Sequence, residues 1–227
     1  MRNRSLPTET INRLFSYFRP LMCFAKEGRE TILSQELADL CDVHPSLVRK
    51  DFSYLGNLGT RGVGYKVSDL MESIRTTLGM NKGTRVAVVG IGNIGRALLE
   101  HKGFQFEGFS ILHAFDNDPE KIGQTISGVT VEDVKDLKER ILSENIEMVI
   151  LAVSEMSAPV VAKRVAGFGV TSILSFCPCK IAMPNDVKVT CIDLSMAMAR
   201  LVYYSCLSAE GQSDSEQVDQ TTNEVTA

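Results

Sequence analysis

From Thr8 to about Lys26 the apolar residues Ile11, Leu14, Phe15, Phe18, Leu21 and Met22 recur at spacings of three and four, which predicts an amphipathic helix. Pro7 precedes it and Gly28 follows it, the usual asymmetry of helix ends. Ser34 to Cys41 reads as a short second helix with Ser34 as its N-cap. Pro45 then opens a third helix that runs to about Leu55 and stops near Gly56. Gly59 to Lys66, with glycines at 59, 62 and 64, reads as a turn between two extended pieces. One more amphipathic helix, Ser68 to about Leu78, leads into Gly79-Met-Asn-Lys-Gly83, where the domain boundary is placed.

Past that boundary the pattern changes. Short, largely apolar runs at Arg85–Val89, Ser110–Phe115, Met148–Val153, Ser172–Phe176 and Val187–Ile192 alternate with helical stretches, which predicts a parallel sheet covered on both faces. The last helix, Asp193 to about Cys206, is apolar on more than one side through Leu194, Met198, Leu201 and Val202. From Ala209 on the chain is acidic, polar and free of aromatic residues, so it is expected to be disordered. The expected division is 1–80, 81–192, 193–208 and 209–227.

Composition adds little: 44% apolar and 23% charged residues describe an ordinary globular chain. The beginning lacks a signal-peptide core and no run approaches membrane-spanning length, so a cytoplasmic protein without membrane contact is expected. Six scattered cysteines suit a compartment where thiols stay reduced. Cys177-Pro-Cys179 has neither a second pair nor a nearby histidine, which argues against a metal site. The net charge of −4 is uneven: residues 1–80 carry +2, residues 81–208 carry −1 and residues 209–227 carry −5. Only the first block suits nucleic acid, and only mildly.

The third helix divides into two faces. Val48, Phe52 and Leu55 fall on one, and Ser46, Arg49, Lys50 and Ser53 on the other, offering hydroxyls for phosphate and two bases for groove edges. With the helix before it and the glycine turn as a wing, this has the lengths of a helix-turn-helix unit. Arg49 can donate to a guanine in bidentate fashion, Lys50 suits phosphate, and Arg61 at the wing tip suits a narrow minor groove. The competing reading is a solvated face on which Asp51 pairs with Arg49 or Lys50.

The segment Val86-Ala-Val-Val-Gly90-Ile91-Gly92-Asn93-Ile94-Gly95 is a strand, then G-x-G-x-x-G, then a helix. In that motif Gly90 makes the tight turn, Gly92 admits a pyrophosphate and Gly95 lets the helix pack closely. Asp116 closes the second strand, 21 residues after Gly95. A carboxylate there accepts from the adenosine ribose and repels a 2′-phosphate, which favours NAD over NADP.

These stretches together resemble the Rex family of bacterial redox-sensing repressors, from about Leu6 to Cys206. The resemblance rests on Val48-Arg-Lys-Asp-Phe-Ser-Tyr-Leu-Gly56, Gly62-Val-Gly-Tyr65, Val88-Val-Gly-Ile-Gly-Asn-Ile-Gly95, Phe115-Asp-Asn-Asp-Pro-Glu-Lys-Ile-Gly123 and Ile192-Asp193. It implies an N-terminal winged helix, a C-terminal doubly wound Rossmann domain and a C-terminal helix exchanged between subunits. It implies a homodimer on an inverted-repeat operator in double-stranded DNA, released when NADH binds. Tyr65 and Lys66 join the expected DNA-binding residues; Lys121, Val153, Phe176, Cys177 and Pro178 join the cofactor set; His101, Asp193 and Tyr203 form the expected switch and dimer set. His101 stands where many members carry a tyrosine that pairs with the aspartate matching Asp193. Ser175-Phe-Cys-Pro178 stands in place of an Asn-Phe-Ala-Pro-like run near the nicotinamide, and Ala152-Val-Ser154 lacks the usual proline.

Two other readings stay open. A small NAD-dependent oxidoreductase with a helical cap requires a substrate site, and no residue set here supplies one. His113, alternating within a strand, is read as packed or solvated rather than catalytic. A CoA-binding module is opposed by Asp116, which would repel the 3′-phosphate of CoA.

Overall fold

A computed structural model describes residues 6–60, 62–106 and 108–205. Arg61, Cys206 and the acidic tail, of which the sequence predicted a wing tip, a helix end and disorder, lie outside the described residues. The chain separates into two compact units, Met1–Gly83 and Thr84–Ala227.

The first unit runs α1 (Thr8–Lys26), β1 (Thr31–Ile32), α2 (Ser34–Leu40), α3 (Pro45–Ser53), β2 (Gly59–Thr60), β3 (Gly64–Lys66) and α4 (Val67–Leu78). Its strands form an antiparallel sheet in the order β1-β3-β2, so the glycine turn is the hairpin of a winged helix. β1 was not expected, because two residues carry no readable period. Leu14, Tyr17, Phe18, Leu21, Ile32, Leu37, Val48, Phe52, Leu70 and Ile74 build the core.

Two local expectations need correcting. α1 buries Thr10, Leu14, Tyr17, Phe18 and Leu21, while Phe15 is exposed. The inward stripe is therefore turned by part of a helical step from the one that apolarity alone selects, because the tyrosine belongs inside. Ser34 is not the N-cap of α2: Leu33 holds that position, and its amide donates to Glu36 Oε2 at 2.8 Å. The glutamate half of a capping box thus works without a serine. α4 ends at Gly79 in the left-handed region, φ +72°, a conformation glycine adopts at little cost.

The second unit runs β4 (Thr84–Val89), α5 (Asn93–Glu100), α6 (Gly103–Phe106), β5 (Phe109–Asp116), β6 (Thr125–Ile126), β7 (Val129–Asp133), α7 (Leu137–Ser143), β8 (Met148–Leu151), α8 (Ala158–Gly167), β9 (Ser172–Ser175) and β10 (Lys188–Cys191). A last helix, α9, covers residues 194–205. The sheet order is β10-β9-β8-β4-β5-β7-β6, parallel throughout except for the β6–β7 hairpin. The order reverses between β4 and β8, which is where a doubly wound sheet opens a crevice at its carboxyl edge.

Successive residues of β4 enter different cores: Ala87 and Val89 pack with α7 and α8, Val86 and Val88 with Leu99 of α5. That is why the strands read as unbroken apolar runs. The unforeseen hairpin turns at Ser127 and Gly128, φ +49° and +87°; β6 has only two residues, and β7 alternates Val129 and Val131 with Thr130 and Glu132 rather than forming an apolar run. Among the described residues no helix is long and apolar enough to cross a membrane.

Candidate functional site

Two surfaces carry the expected chemistry, one in each unit. On α3, Ser46, Arg49, Lys50 and Ser53 are all exposed. His44 caps the helix: its Nδ1 accepts from the Ser46 amide at 3.2 Å and lies 2.7 Å from the Ser46 hydroxyl. Arg49 Nη1 donates to Ser34 Oγ of α2 at 3.0 Å, so the preceding helix steadies its guanidinium. Ser53 Oγ turns back to the Lys50 carbonyl at 2.6 Å.

Asp51 does not pair with Arg49 or Lys50. It is wholly buried on the opposite face, where it accepts from Arg13 Nε and Nη2 at 2.7 and 2.8 Å, Tyr17 Oη at 3.0 Å and Thr10 Oγ1 at 3.1 Å. Burial opposes its charge, but the bonds from Arg13, Tyr17 and Thr10 outweigh that and hold its carboxyl below its ordinary value. The exposed α3 face is therefore set by an anchor to α1 that the sequence reading missed. Its signal was an acid between two apolar positions, matched by Thr10, Arg13 and Tyr17 on one side of α1.

Of the wing residues, Lys66 is exposed and Tyr65 is half-buried. The Tyr65 ring stands edge-on to Phe52 with centroids 5.0 Å apart, and a Cβ at Gly59 would meet it at 2.7 Å. That ring serves first to seat the hairpin on the core.

In the second unit a cleft of about 510 Å³ opens at the carboxyl ends of β4, β5, β7 and β8. Gly90, Gly92, Asp116, Lys121 and Val153, all expected, line it. Gly90 has φ +93°, and a Cβ there would fall 2.5 Å from the Ala152 carbonyl oxygen. A Cβ at Gly95 would fall 2.0 Å from the Gly90 carbonyl oxygen, so α5 starts closer to β4 than any larger residue allows. Nothing lies within 4 Å of the corresponding point at Gly92, which leaves its face open in front of the α5 N-terminus. This division of labour fits a dinucleotide pyrophosphate.

Asp116 is nearly buried; Oδ2 accepts from the Ile91 amide at 2.7 Å and from Lys121 Nζ at 3.3 Å, and Oδ1 from the Asp118 amide at 2.9 Å. Burial works against its charge, and the two amides and the lysine prevail, so the carboxyl stays below its ordinary value. The acid therefore tethers the glycine loop as well as facing the cleft.

Other expected residues stand further out. Ile91 is buried in the core, while Asn93 and Ile94 are exposed at the start of α5. Phe176 is half-buried against the α5 side of the sheet and Pro178 is exposed. Cys177, expected by the nicotinamide, has its side chain 3% exposed in the α7–α8 core, and burial pushes its thiol up to about 11. His101 is exposed and stands edge-on to Phe104 at 4.8 Å. Asp193 Oδ1 accepts from the Met196 amide at 3.0 Å and so caps α9. Tyr203 is exposed beside Tyr204. His113 is packed: its Nδ1 lies 2.7 Å from Glu132 Oε1, and Glu132 also accepts from Arg140 at 2.6 Å.

The cleft also takes Asn117, Val134, Ser154, Ser157, Val161 and Arg164, none of them foreseen. Asn117 and Val134 directly follow β5 and β7, and Ser154 lies three residues past β8, so strand ends were the available signal.

A family model described as CoA binding domain matches residues 81–179, and one described as putative DNA-binding protein N-terminus matches residues 5–53. The chain is 40% identical over 193 residues to the redox-sensing transcriptional repressor Rex of Solidesulfovibrio magneticus, covering 85% of this chain and 88% of that one. It is 38% identical over 216 residues to the Rex of Streptomyces griseus, covering 95% and 85%. Among solved structures, RSP in complex with β-NADH superposes with a TM-score of 0.83 at 27% identity over 93% of this chain and 99% of that one. RSP in complex with β-NAD+ and operator DNA gives 0.80 at 28% identity over 98% and 99%.

Proposed function

The chain belongs to the Rex family of redox-sensing transcriptional repressors, and from that premise we propose how its own residues divide the work. It is a repressor and not an enzyme: a cytoplasmic homodimer that holds an inverted-repeat operator and lets go when NADH rises relative to NAD+. The observation that carries this reading is one chain with both an exposed Ser46, Arg49, Lys50 and Ser53 face on α3 and a glycine cradle opening onto a cleft edged by Asp116.

In this reading α3 enters the major groove, Arg49 reads a base, and Lys50, Lys66 and Arg61 meet phosphate or the minor groove. The cleft takes the adenosine half of NAD(H), with Asp116 toward the ribose and the α5 N-terminus toward the pyrophosphate. NAD(H) is a signal, and its binding supplies a difference in affinity between two arrangements of the dimer. A hundredfold loss of operator affinity needs about 2.7 kcal/mol of such coupling.

For the dimer, α9 supports exchange. Every residue from 194 to 205 is exposed, including Leu194, Met198, Leu201 and Val202 at 61 to 68%. A small apolar groove of about 80 Å³ between Phe104, Phe109, Ile111, Met148 and Leu174 offers a seat for a second copy's helix. Asp193, at the head of that helix, would be drawn to the charged oxidised nicotinamide and left free beside the neutral reduced one, with His101 as its other partner.

The test is a gel shift on the chain's own upstream DNA, with and without NADH. Binding that NADH abolishes and NAD+ preserves is expected. Binding indifferent to both nucleotides would overturn the sensing role.

A further inference from the structure

Three cysteines of the second unit gather where β9 and β10 end. Cys177 Sγ and Cys179 Sγ are 3.2 Å apart, and Cys191 Sγ donates to the Cys179 carbonyl at 3.2 Å. A disulfide needs about 2.05 Å between sulfurs, so closing the gap takes a shift of little more than an ångström. Exposure rises in the order Cys177, Cys179, Cys191: buried, half-buried, exposed. Cys177 and Cys179 pack into the same core cluster as Val153, which lines the nucleotide cleft.

We propose that Cys177 and Cys179 form a reversible disulfide under hydroperoxides, a second redox input that weakens NADH binding. The half-buried Cys179 meets the oxidant first. Its sulfur takes one peroxide oxygen to become a sulfenic acid while the peroxide leaves as alcohol or water. Cys177 sulfur then attacks the Cys179 sulfur; the hydroxyl departs with the Cys177 proton as water, and the S–S bond forms. In total two thiols lose two electrons and the O–O bond gains them. Burial keeps Cys177 from oxidants in solution while its sulfur lies beside the one sulfur it must attack; since the thiolate is the attacking form, its proton passes to the departing hydroxyl as the S–S bond forms. The bond pulls Cys177 away from the core against which Val153 rests, and the cleft wall shifts with it.

The link to NADH rests on the cleft reading above, and the experiment separates the two. The reduced full-length protein is titrated with NADH, treated with hydrogen peroxide, freed of the excess and titrated again, while thiol-blocked peptides are mapped by mass. The expected result is a peptide bearing Cys177 and Cys179 that has lost two hydrogens, reversed by dithiothreitol, together with a severalfold rise in the NADH Kd. Cys179→Ser should bind NADH like the reduced wild type and stop responding, whereas Cys191→Ser should respond in full. Cys179 carried to sulfinic acid, or joined to Cys191 instead, would overturn the pair; a mapped disulfide with an unchanged Kd would overturn the link. Failure of the reduced protein to bind NADH would overturn the cleft reading, with the disulfide map still deciding the chemistry.

Discussion

Among the described residues each unit buries one aspartate, and the two are held in opposite ways. Asp51 receives four hydrogen bonds, all from side chains of α1. Asp116 receives three, two from backbone amides and one from Lys121. A carboxylate offers about four acceptor directions, so Asp51 is saturated and Asp116 has one left, at the wall of a cleft. A saturated buried acid locks two helices together. An unsaturated one at an opening is placed to take a hydroxyl from a ligand.

The sharpest way to break this comparison is to remove Asp51. Asp51→Ala leaves Arg13, Tyr17 and Thr10 facing an empty buried site, and losing one partner of such a pair costs about 3–5 kcal/mol. Thermal melts should show the N-terminal unit unfolding first, with operator binding lost and NADH binding kept. Loss of both activities together would show that the units do not respond separately. The pH dependence has a definite sign. Because the folded carboxyl lies below its ordinary value, its contribution is intact above the unfolded value of ~3.9 and fades as pH falls through the lower folded value. Circular dichroism at falling pH should find that step in the wild type and find it flattened in Asp51→Asn.

Arg49 lies two residues away on the other face of α3. Arg49→Ala should leave the melt almost unchanged and weaken operator binding by ~1–3 kcal/mol, relaxing one base pair per half-site. Unchanged operator affinity in a folded Arg49 variant would remove α3 as the reading helix.

The same contrast explains what was legible in the sequence. Patterns of period 3.6 and apolar runs located α1, α3, α4 and five of the seven strands of the larger sheet, since burial on a face or on both faces imposes those patterns. The glycine cradle was legible because Gly90 and Gly95 answer a steric demand that only glycine meets. Asp51 was not, because its partners lie 34 to 41 residues away and a buried charge looks like a surface one until they are found. β1 and β6, two residues each, were too short to carry a period, β7 is a valine–polar alternation and not an apolar run, and the inward turn of Cys177 depends on how the loop leaves β9. For Asp116 the sequence suggested a role toward ribose but held no sign of its bond to the Ile91 amide.

At Asp116 the expected effect is smaller than at Asp51. Asp116→Asn keeps the shape and an acceptor oxygen but loses the charge, so NADH should bind up to ~1.5–3 kcal/mol more weakly, the range of a hydrogen bond to a charged group. The same loss of charge should let NADPH compete better. Fluorescence titration with both nucleotides checks it. NADPH already bound as tightly as NADH by the wild type would contradict the placement of Asp116.

The smallest effect is the most discriminating. Lys121 is 32% exposed at its side chain and sits 3.3 Å from Asp116 and 3.5 Å from Asp118, so as a surface ion pair it contributes under ~1 kcal/mol to stability. Its effect on ligand choice should still have a clear direction. With Lys121 present, part of the Asp116 charge is offset; in Lys121→Ala it is not, and a 2′-phosphate meets stronger repulsion. The ratio of NADPH to NADH Kd should therefore rise in Lys121→Ala and fall in Asp116→Asn, although both variants break the same pair. In the N-terminal unit the corresponding variants, Arg13→Ala and Asp51→Ala, should move stability in the same direction, because neither group there has a ligand to face. If the two cleft variants instead shifted the ratio alike, the Lys121–Asp116 contact would be a structural tie like that between Arg13 and Asp51, and the acid would not be the group that selects the nucleotide.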